Sequence, residues 1–96
     1  MAQAEAAVMV DSERVRVTSW VFQPGQATGM HRHELDYLVV PVSGGSFTVT
    51  GPDGSRSELR QEAGQAYARQ AGVEHDVANT GPGPAVFVEI ELKDRG

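Results

Sequence analysis

This sequence predicts an all-β domain, a sandwich or a barrel, on three observations. Its eleven glycines and five prolines fall in clusters that read as turns. Between the clusters lie runs of roughly 5–10 residues that alternate with period two, the spacing of a strand with two unlike faces. Nothing after residue 12 carries a helical repeat.

Residues 1–12 are read as an N-terminal arm, in which Ala2–Met9 is the only stretch that suits a helix, and residues 13–96 as the folded domain. The first strand, Arg14–Gln23, sets Val15, Val17, Ser19 and Val21 against Arg14, Arg16, Thr18 and Trp20, and ends at Pro24-Gly25. Thr28–Arg32 follows, then Asp36–Val42, where Pro41 removes a ladder donor and argues for an edge or a bulge. Gly44-Gly45 turns the chain into Ser46–Thr50. The segment Gly51-Pro52-Asp53-Gly54 is a tight hairpin loop that divides the chain into two similar halves. Ser57–Gln61 leaves that loop, Gln65–Arg69 follows Gly64, and His75–Asn79 follows Gly72. Gly81-Pro82-Gly83-Pro84 leads into Ala85–Leu92, whose Glu89 and Glu91 alternate with Val88, Ile90 and Leu92 as a strand with one wet face requires. The reading gives about eight short strands at regular spacing, as in sandwiches and barrels.

Composition narrows the partners. The 96 residues are 40% hydrophobic and 22% charged, enough for one small domain. A formal charge of −5 repels a phosphate backbone, so no nucleic-acid partner is expected. No apolar run approaches the roughly 20 residues of a membrane-spanning helix, and Met1–Glu13 lacks the basic start and apolar stretch of a signal peptide. A cytoplasmic protein without a membrane partner is the expectation. With no cysteine there is no disulfide framework and no thiolate chemistry, which leaves histidine and oxygen ligands for any metal.

The chain has three histidines: His31 and His33, one residue apart, and His75 on a later strand. On a strand, residues two apart face the same way at about 6.5–7 Å, near enough for both imidazoles to converge on one ion. A third imidazole completes the roughly three protein ligands of an open site for Fe, Mn, Ni, Zn or Cu. The spacing alone is equally met by two surface histidines at a strand end and one hydrogen-bonded loop histidine.

The surroundings decide between these readings. Gly25-Gln26-Ala27-Thr28-Gly29-Met30-His31-Arg32-His33 followed by Gly44 resembles the first motif of the cupin superfamily, and Gly64, Gln70, Gly72, His75 and Asn79 resemble the second. Gln70 stands where the family usually has proline. The resemblance covers Gln23–Val88 and implies a single-domain cupin, a jelly-roll β-barrel with one divalent transition metal at its open end. It makes His31, His33 and His75 the ligands, and Gly25, Gly44, Gly64, Gly72 and Asn79 structural motif positions. The family pattern also places a glutamate ligand three or four residues after the second histidine, where this chain has Tyr37 and Leu38. Either three histidines hold the ion alone, as in the three-histidine cupins, or Asp36 reaches in as a fourth ligand. Glu34, opposite His33, is expected in solvent.

Around this site, Tyr37 and Tyr67 either line a cavity or pack in the interior. Arg69 shares a strand face with Tyr67 and either anchors a substrate carboxylate, pairs with Glu74 or Asp36, or reaches solvent. The expected function is a metal-dependent, dioxygenase-like reaction on a small organic acid or dicarbonyl. The stretch Met30–Tyr37 also resembles the short cupins associated with the breakdown of β-alanine and related amino acids. The alternative is a non-catalytic module that binds a small molecule or a metal. A homodimer is expected, with Trp20 and Phe22 exposed on the face opposite Val15, Val17 and Val21, two copies packed sheet to sheet, and Met1–Asp11 reaching across.

Overall fold

The computed structural model describes residues 2–93. Nine strands follow one another: β1 (Glu5–Asp11), β2 (Val15–Phe22), β3 (His31–Arg32), β4 (Tyr37–Pro41), β5 (Gly45–Thr50), β6 (Arg56–Gln61), β7 (Tyr67–Arg69), β8 (Glu74–Asn79) and β9 (Ala85–Leu92). They form two antiparallel sheets, one ordered β1-β2-β9-β4-β7 and the other β3-β8-β5-β6. The sheets face each other across a shared core as a jelly roll and do not close into one continuous barrel. Among the described residues there is no helix, and so none long and apolar enough to cross a membrane.

The turn chemistry explains most of the boundaries. At the β5–β6 hairpin, Gly54 takes φ +85° and donates to the Gly51 carbonyl, while Asp53 Oδ1 accepts from the Ser55 amide and hydroxyl. Gly44 is the most constrained glycine: its φ is +77°, and a Cβ there would stand 3.0 Å from the Gln61 carbonyl oxygen. Asn79 ties three chain segments together. It is 1% exposed, its Nδ2 donates to the carbonyls of Phe22 and Gly83, and its Oδ1 accepts from the Gly81 amide.

Three expectations are corrected. Ala2–Met9 is not helical: Glu5–Asp11 pairs along β2, from Glu5 opposite Val21 to Asp11 opposite Arg16, with an irregularity between Val8 and Val10. The open edge of β2 supplies a ladder that a short helix lacks. Second, β4 lies inside its sheet between β9 and β7. Pro41 is accommodated as its last residue, opposite Phe87 and beyond the end of β7, and its carbonyl accepts from Gly64.

The third correction concerns which face is inside. Phe22 is fully buried, and Trp20 lines the interior beside it, whereas Val15, Val17 and Val21 point outward. Phe22, Phe47 and Phe87 form an aromatic cluster with ring centroids 5.2–5.8 Å apart. Edge-to-face and tilted contacts of this kind tie the two sheets together, and truncating a buried Phe to Ala costs about 3–5 kcal/mol. The same inversion holds on β9. Phe87 and Glu89 face the cavity, while Val86, Val88 and Ile90 turn away from it.

Candidate metal centre

The three histidines converge because two adjacent strands present them in register. His31 on β3 is directly opposite His75 on β8, so the two imidazoles leave the sheet on one face. The pairing continues past the end of β3: the His33 amide donates to the Val73 carbonyl at 2.8 Å, and the Gly72 amide to the His33 carbonyl at 2.8 Å. His33 is thereby kept two steps along the same face. The preceding loop is tied to β8 through the Gly29 amide on Asp76 Oδ1 (3.1 Å) and the Val77 amide on the Thr28 hydroxyl (3.1 Å).

The ligand atoms meet. His33 Nε2 lies 3.0 Å from His31 Nε2 and 3.2 Å from His75 Nε2. Ligands about 2.0–2.1 Å from one ion stand roughly 3–3.4 Å from each other, so the donor set fits a metal. His31 Nδ1 sits 2.8 Å from the Gly29 carbonyl, an acceptor only, so Nδ1 carries the proton and Nε2 keeps its lone pair. Burial, reinforced by the neighbouring His31, lowers the pKa values of His33 and His75 from 6.5 to about 4. Both rings are therefore neutral at pH 7, the state a ligand needs. His33 is 5% exposed and stacks on Tyr37 with ring centroids 3.8 Å apart.

Beside the histidines opens a cavity of about 250 Å³ between the sheets. Its walls are mainly apolar and aromatic, with Trp20, Val39, Val49, Leu59, Val77 and Phe87, and it includes His31, His75, Tyr37, Tyr67 and Arg69. Both tyrosines thus line the cavity. Burial pushes the Tyr37 hydroxyl up to about 12 and raises that of Tyr67, which accepts a hydrogen bond from Gln61 Nε2 at 2.9 Å. Arg69 lies over the Tyr67 ring, 4.5 Å from its centroid, and donates to the Ala68 carbonyl. It forms no ion pair with another described residue, Glu74 and Asp36 included. The Trp20 indole N–H is buried and makes no well-aligned hydrogen bond among the described residues; its polar neighbour is the Glu89 carboxylate, whose charged form it favours.

Of the acidic positions, Asp36 does not take up the alternative of a fourth ligand, and Glu89 departs from the wet face expected for it. Asp36 is not at the histidines: it is exposed, and its Oδ1 accepts from the Ala71 amide at 2.8 Å, which fixes the carboxylate on the outer side of the β4–β7 pair. Glu89 is the residue the sequence reading missed. Instead of facing solvent it lines the cavity, with its side chain 13% exposed and Oε2 3.9 Å from His33 Nε2. Burial, with Glu91 nearby, pushes its carboxyl up to about 7. Glu91 is also turned inward but lies 3.6 Å from Arg16. The available signal was that Trp20, Phe22 and Phe87, the bulkier side chains of the two strands, share a face with Glu89. Glu34 is exposed beside Arg32, as expected.

Comparison with known proteins agrees with this fold. Residues 18–91 match the cupin domain family. The chain is 50% identical over 91 residues, 95% of each chain, to the β-alanine degradation protein BauB of Pseudomonas aeruginosa. A cupin domain of Bordetella pertussis superposes with a TM-score of 0.92 at 44% identity, covering 97% of this chain and 96% of that one. A double-stranded β-helix protein of Klebsiella pneumoniae shares the fold at a TM-score of 0.79 and 23% identity, over 97% and 79% of the two chains. With its two motifs folded onto one face of a jelly roll, the chain belongs to the cupin family.

Proposed function

We propose that this protein is a metal-dependent cupin that acts on a small organic acid or dicarbonyl in a dioxygenase-like reaction. The observation that carries the reading is the convergence of His31, His33 and His75, their Nε2 atoms 3.0 and 3.2 Å apart, at the wall of a cavity with a 250 Å³ interior. The ion, Fe, Mn, Ni, Zn or Cu, supplies Lewis acidity and, for a redox metal, electron transfer. The chain's own residues do the rest. Burial keeps His33 and His75 unprotonated, and Gly29 orients His31. The aromatic walls exclude water, and Arg69, without an acidic partner among the described residues, offers a guanidinium to a substrate carboxylate. The name of the Pseudomonas relative supports a substrate class of short amino-acid-derived acids, which carry such a carboxylate.

The test is elemental analysis of protein purified without chelator or added metal, followed by oxygen uptake with short-chain acids and dicarbonyls. Stoichiometric iron or manganese with substrate-dependent uptake is expected. Metal and ligand binding without turnover would replace the enzyme by a binding module.

We also infer a homodimer, through the outer face of the five-stranded sheet. Val17, Ile90 and Leu38 lie side by side across β2, β9 and β4, as do Ser19, Val88 and Val40. Eight residues at about 3.3 Å by five strands at about 4.8 Å give a face on the order of 600 Å², near the ~800 Å² each partner contributes to a standard interface. A second copy of the same apolar face covers it self-complementarily, and β1, an edge strand with every residue exposed, borders it.

A further inference from the structure

The charge of a divalent ion at three neutral imidazoles is uncompensated, and one largely buried carboxylate in the same cavity has no cationic partner among the described residues. We propose that Glu89, on the last strand, is the fourth protein ligand of the metal at His31, His33 and His75. This rests on the metal reading above and deepens it.

The placement is specific in three respects. Glu89 Oε2 approaches His33 at Nε2, the ligating nitrogen, at 3.9 Å. A carboxylate that merely oriented the ring would sit behind it at Nδ1, so Glu89 stands on the metal's side of the imidazole. The Glu89 carboxylate clusters within 4.8 Å of His33 and Glu91 rather than of all three histidines, so a side-chain rotation from His33 toward the ion is what brings the oxygen into the ligand shell. Second, the carboxylate has the neutral Trp20 indole N–H beside it but lacks a cationic partner among the described residues. Its side chain is 13% exposed, and no Lys or Arg among the described residues pairs with it, whereas the neighbouring Glu91 has Arg16 at 3.6 Å. An uncompensated carboxylate in an apolar cavity is costly, and a bound cation removes that cost. Third, Asp36, the other carboxylate near the first motif, is held away by the Ala71 amide, while Tyr37 and Leu38 bring no carboxylate. The acid ligand is therefore supplied from β9, across the core from β3 and β8.

Cobalt(II) reports on this directly, since its absorption follows ligand type and number. Apo protein, Glu89→Gln and His33→Ala are titrated with cobalt(II), and the apo proteins are melted at pH 8. Wild type is expected to give a saturable spectrum with one ion per chain. Glu89→Gln is expected to bind about 10–100-fold more weakly with an altered spectrum, and its apo form to melt higher than wild type because a buried unpaired charge is gone. Equal affinity and an identical spectrum for Glu89→Gln overturn the proposal while leaving the three-histidine site intact. A wild type that takes up no cobalt overturns the metal reading itself. Should Glu89→Gln fail to fold, Glu89→Asp, which withdraws the charge by one methylene, decides by the same spectrum.

Discussion

The two faces of β9 carry opposite chemistry, and the polar one is inside. Toward the core the strand presents Phe87, Glu89 and, half-buried, Glu91; toward the outside it presents Val86, Val88 and Ile90. Strand β2 repeats the arrangement with Thr18, Trp20 and Phe22 inside and Val15, Val17 and Val21 outside. Alternation along a strand establishes that the two faces differ. It does not say which is the interior, because the hydrophobic effect rewards burial against a second copy as well as against the chain's own core. A sheet that is apolar outside and carries acids inside is explained when the interior holds a functional site and the exterior meets a partner.

The largest expected effect lies on the inner side. Truncating His33, the ring shared by both short Nε2 contacts, is expected to reduce metal content to below about a tenth of wild type, with His31→Ala and His75→Ala close behind. The aromatic core is elsewhere, so the circular dichroism of a folded β domain is expected to persist. Full metal occupancy in His75→Ala would remove the three-histidine site.

The outer face is broken by Val88→Glu. Val88 pairs with Ser19 on one side and Val40 on the other, so the substitution sets a carboxylate amid the apolar face. In a lone chain the new side chain reaches water and costs little. In a sheet-to-sheet dimer it is buried unpaired in both copies, and the dissociation constant is expected to rise at least ~100-fold, about 3 kcal/mol. Light scattering at about 50 μM measures this, and a monomeric wild type at that concentration would count against the interface.

What the sequence disclosed and what it hid divide along the same line. Local rules located the turns at Gly44, Gly54 and Gly72, which take φ values of +77°, +85° and +101°. They also placed His31 and His33 on a common face and, with the motif resemblance, brought in His75. The misread features all depend on distant chain. Glu5–Asp11 becomes a strand because β2 leaves an edge open, Pro41 fits inside a sheet because β7 is short, and Glu89 is interior because Trp20 and Phe87 set the face. Asp36 was a sequence neighbour of the site, but the Ala71 amide claims its carboxylate.

Acid titration of the apo protein sets the two kinds of inner-face group against each other. His33 and His75 titrate near 4 in the folded chain and near 6.5 when free, so between those values the unfolded chain binds more protons and stability falls as pH is lowered. Glu89 acts in the opposite sense. Its folded value is about 7 against an ordinary 4.5, so the folded chain keeps a proton that the unfolded chain has released, and this contribution is lost as pH rises through 7. Two imidazoles outweigh one carboxyl. Urea melts of apo protein are expected to show stability rising by about 3 kcal/mol from pH 4 to pH 6.5, then levelling off toward pH 8 as the last of the histidine gain and of the Glu89 loss offset each other. In Glu89→Gln the opposing carboxyl is gone, so the rise is expected to be steeper and to continue above pH 6.5.

The smallest effect is expected at the cavity's cation. Arg69 is solvent-exposed, stacks on Tyr67, and has no acidic partner among the described residues, so Arg69→Met strands no buried carboxylate and is expected to shift stability by under about 0.5 kcal/mol. Metal content is expected to stay at wild type, since Arg69 holds none of the ligating nitrogens. A short carboxylate ligand loses its bidentate partner, and its dissociation constant is expected to rise about 10–30-fold, or roughly 1.5–2 kcal/mol. Thermal melts with and without the carboxylate separate the two roles. A mutant that melts several degrees lower while its ligand-induced shift matches wild type would make Arg69 a structural residue and leave the organic-acid class supported only by the Pseudomonas relative.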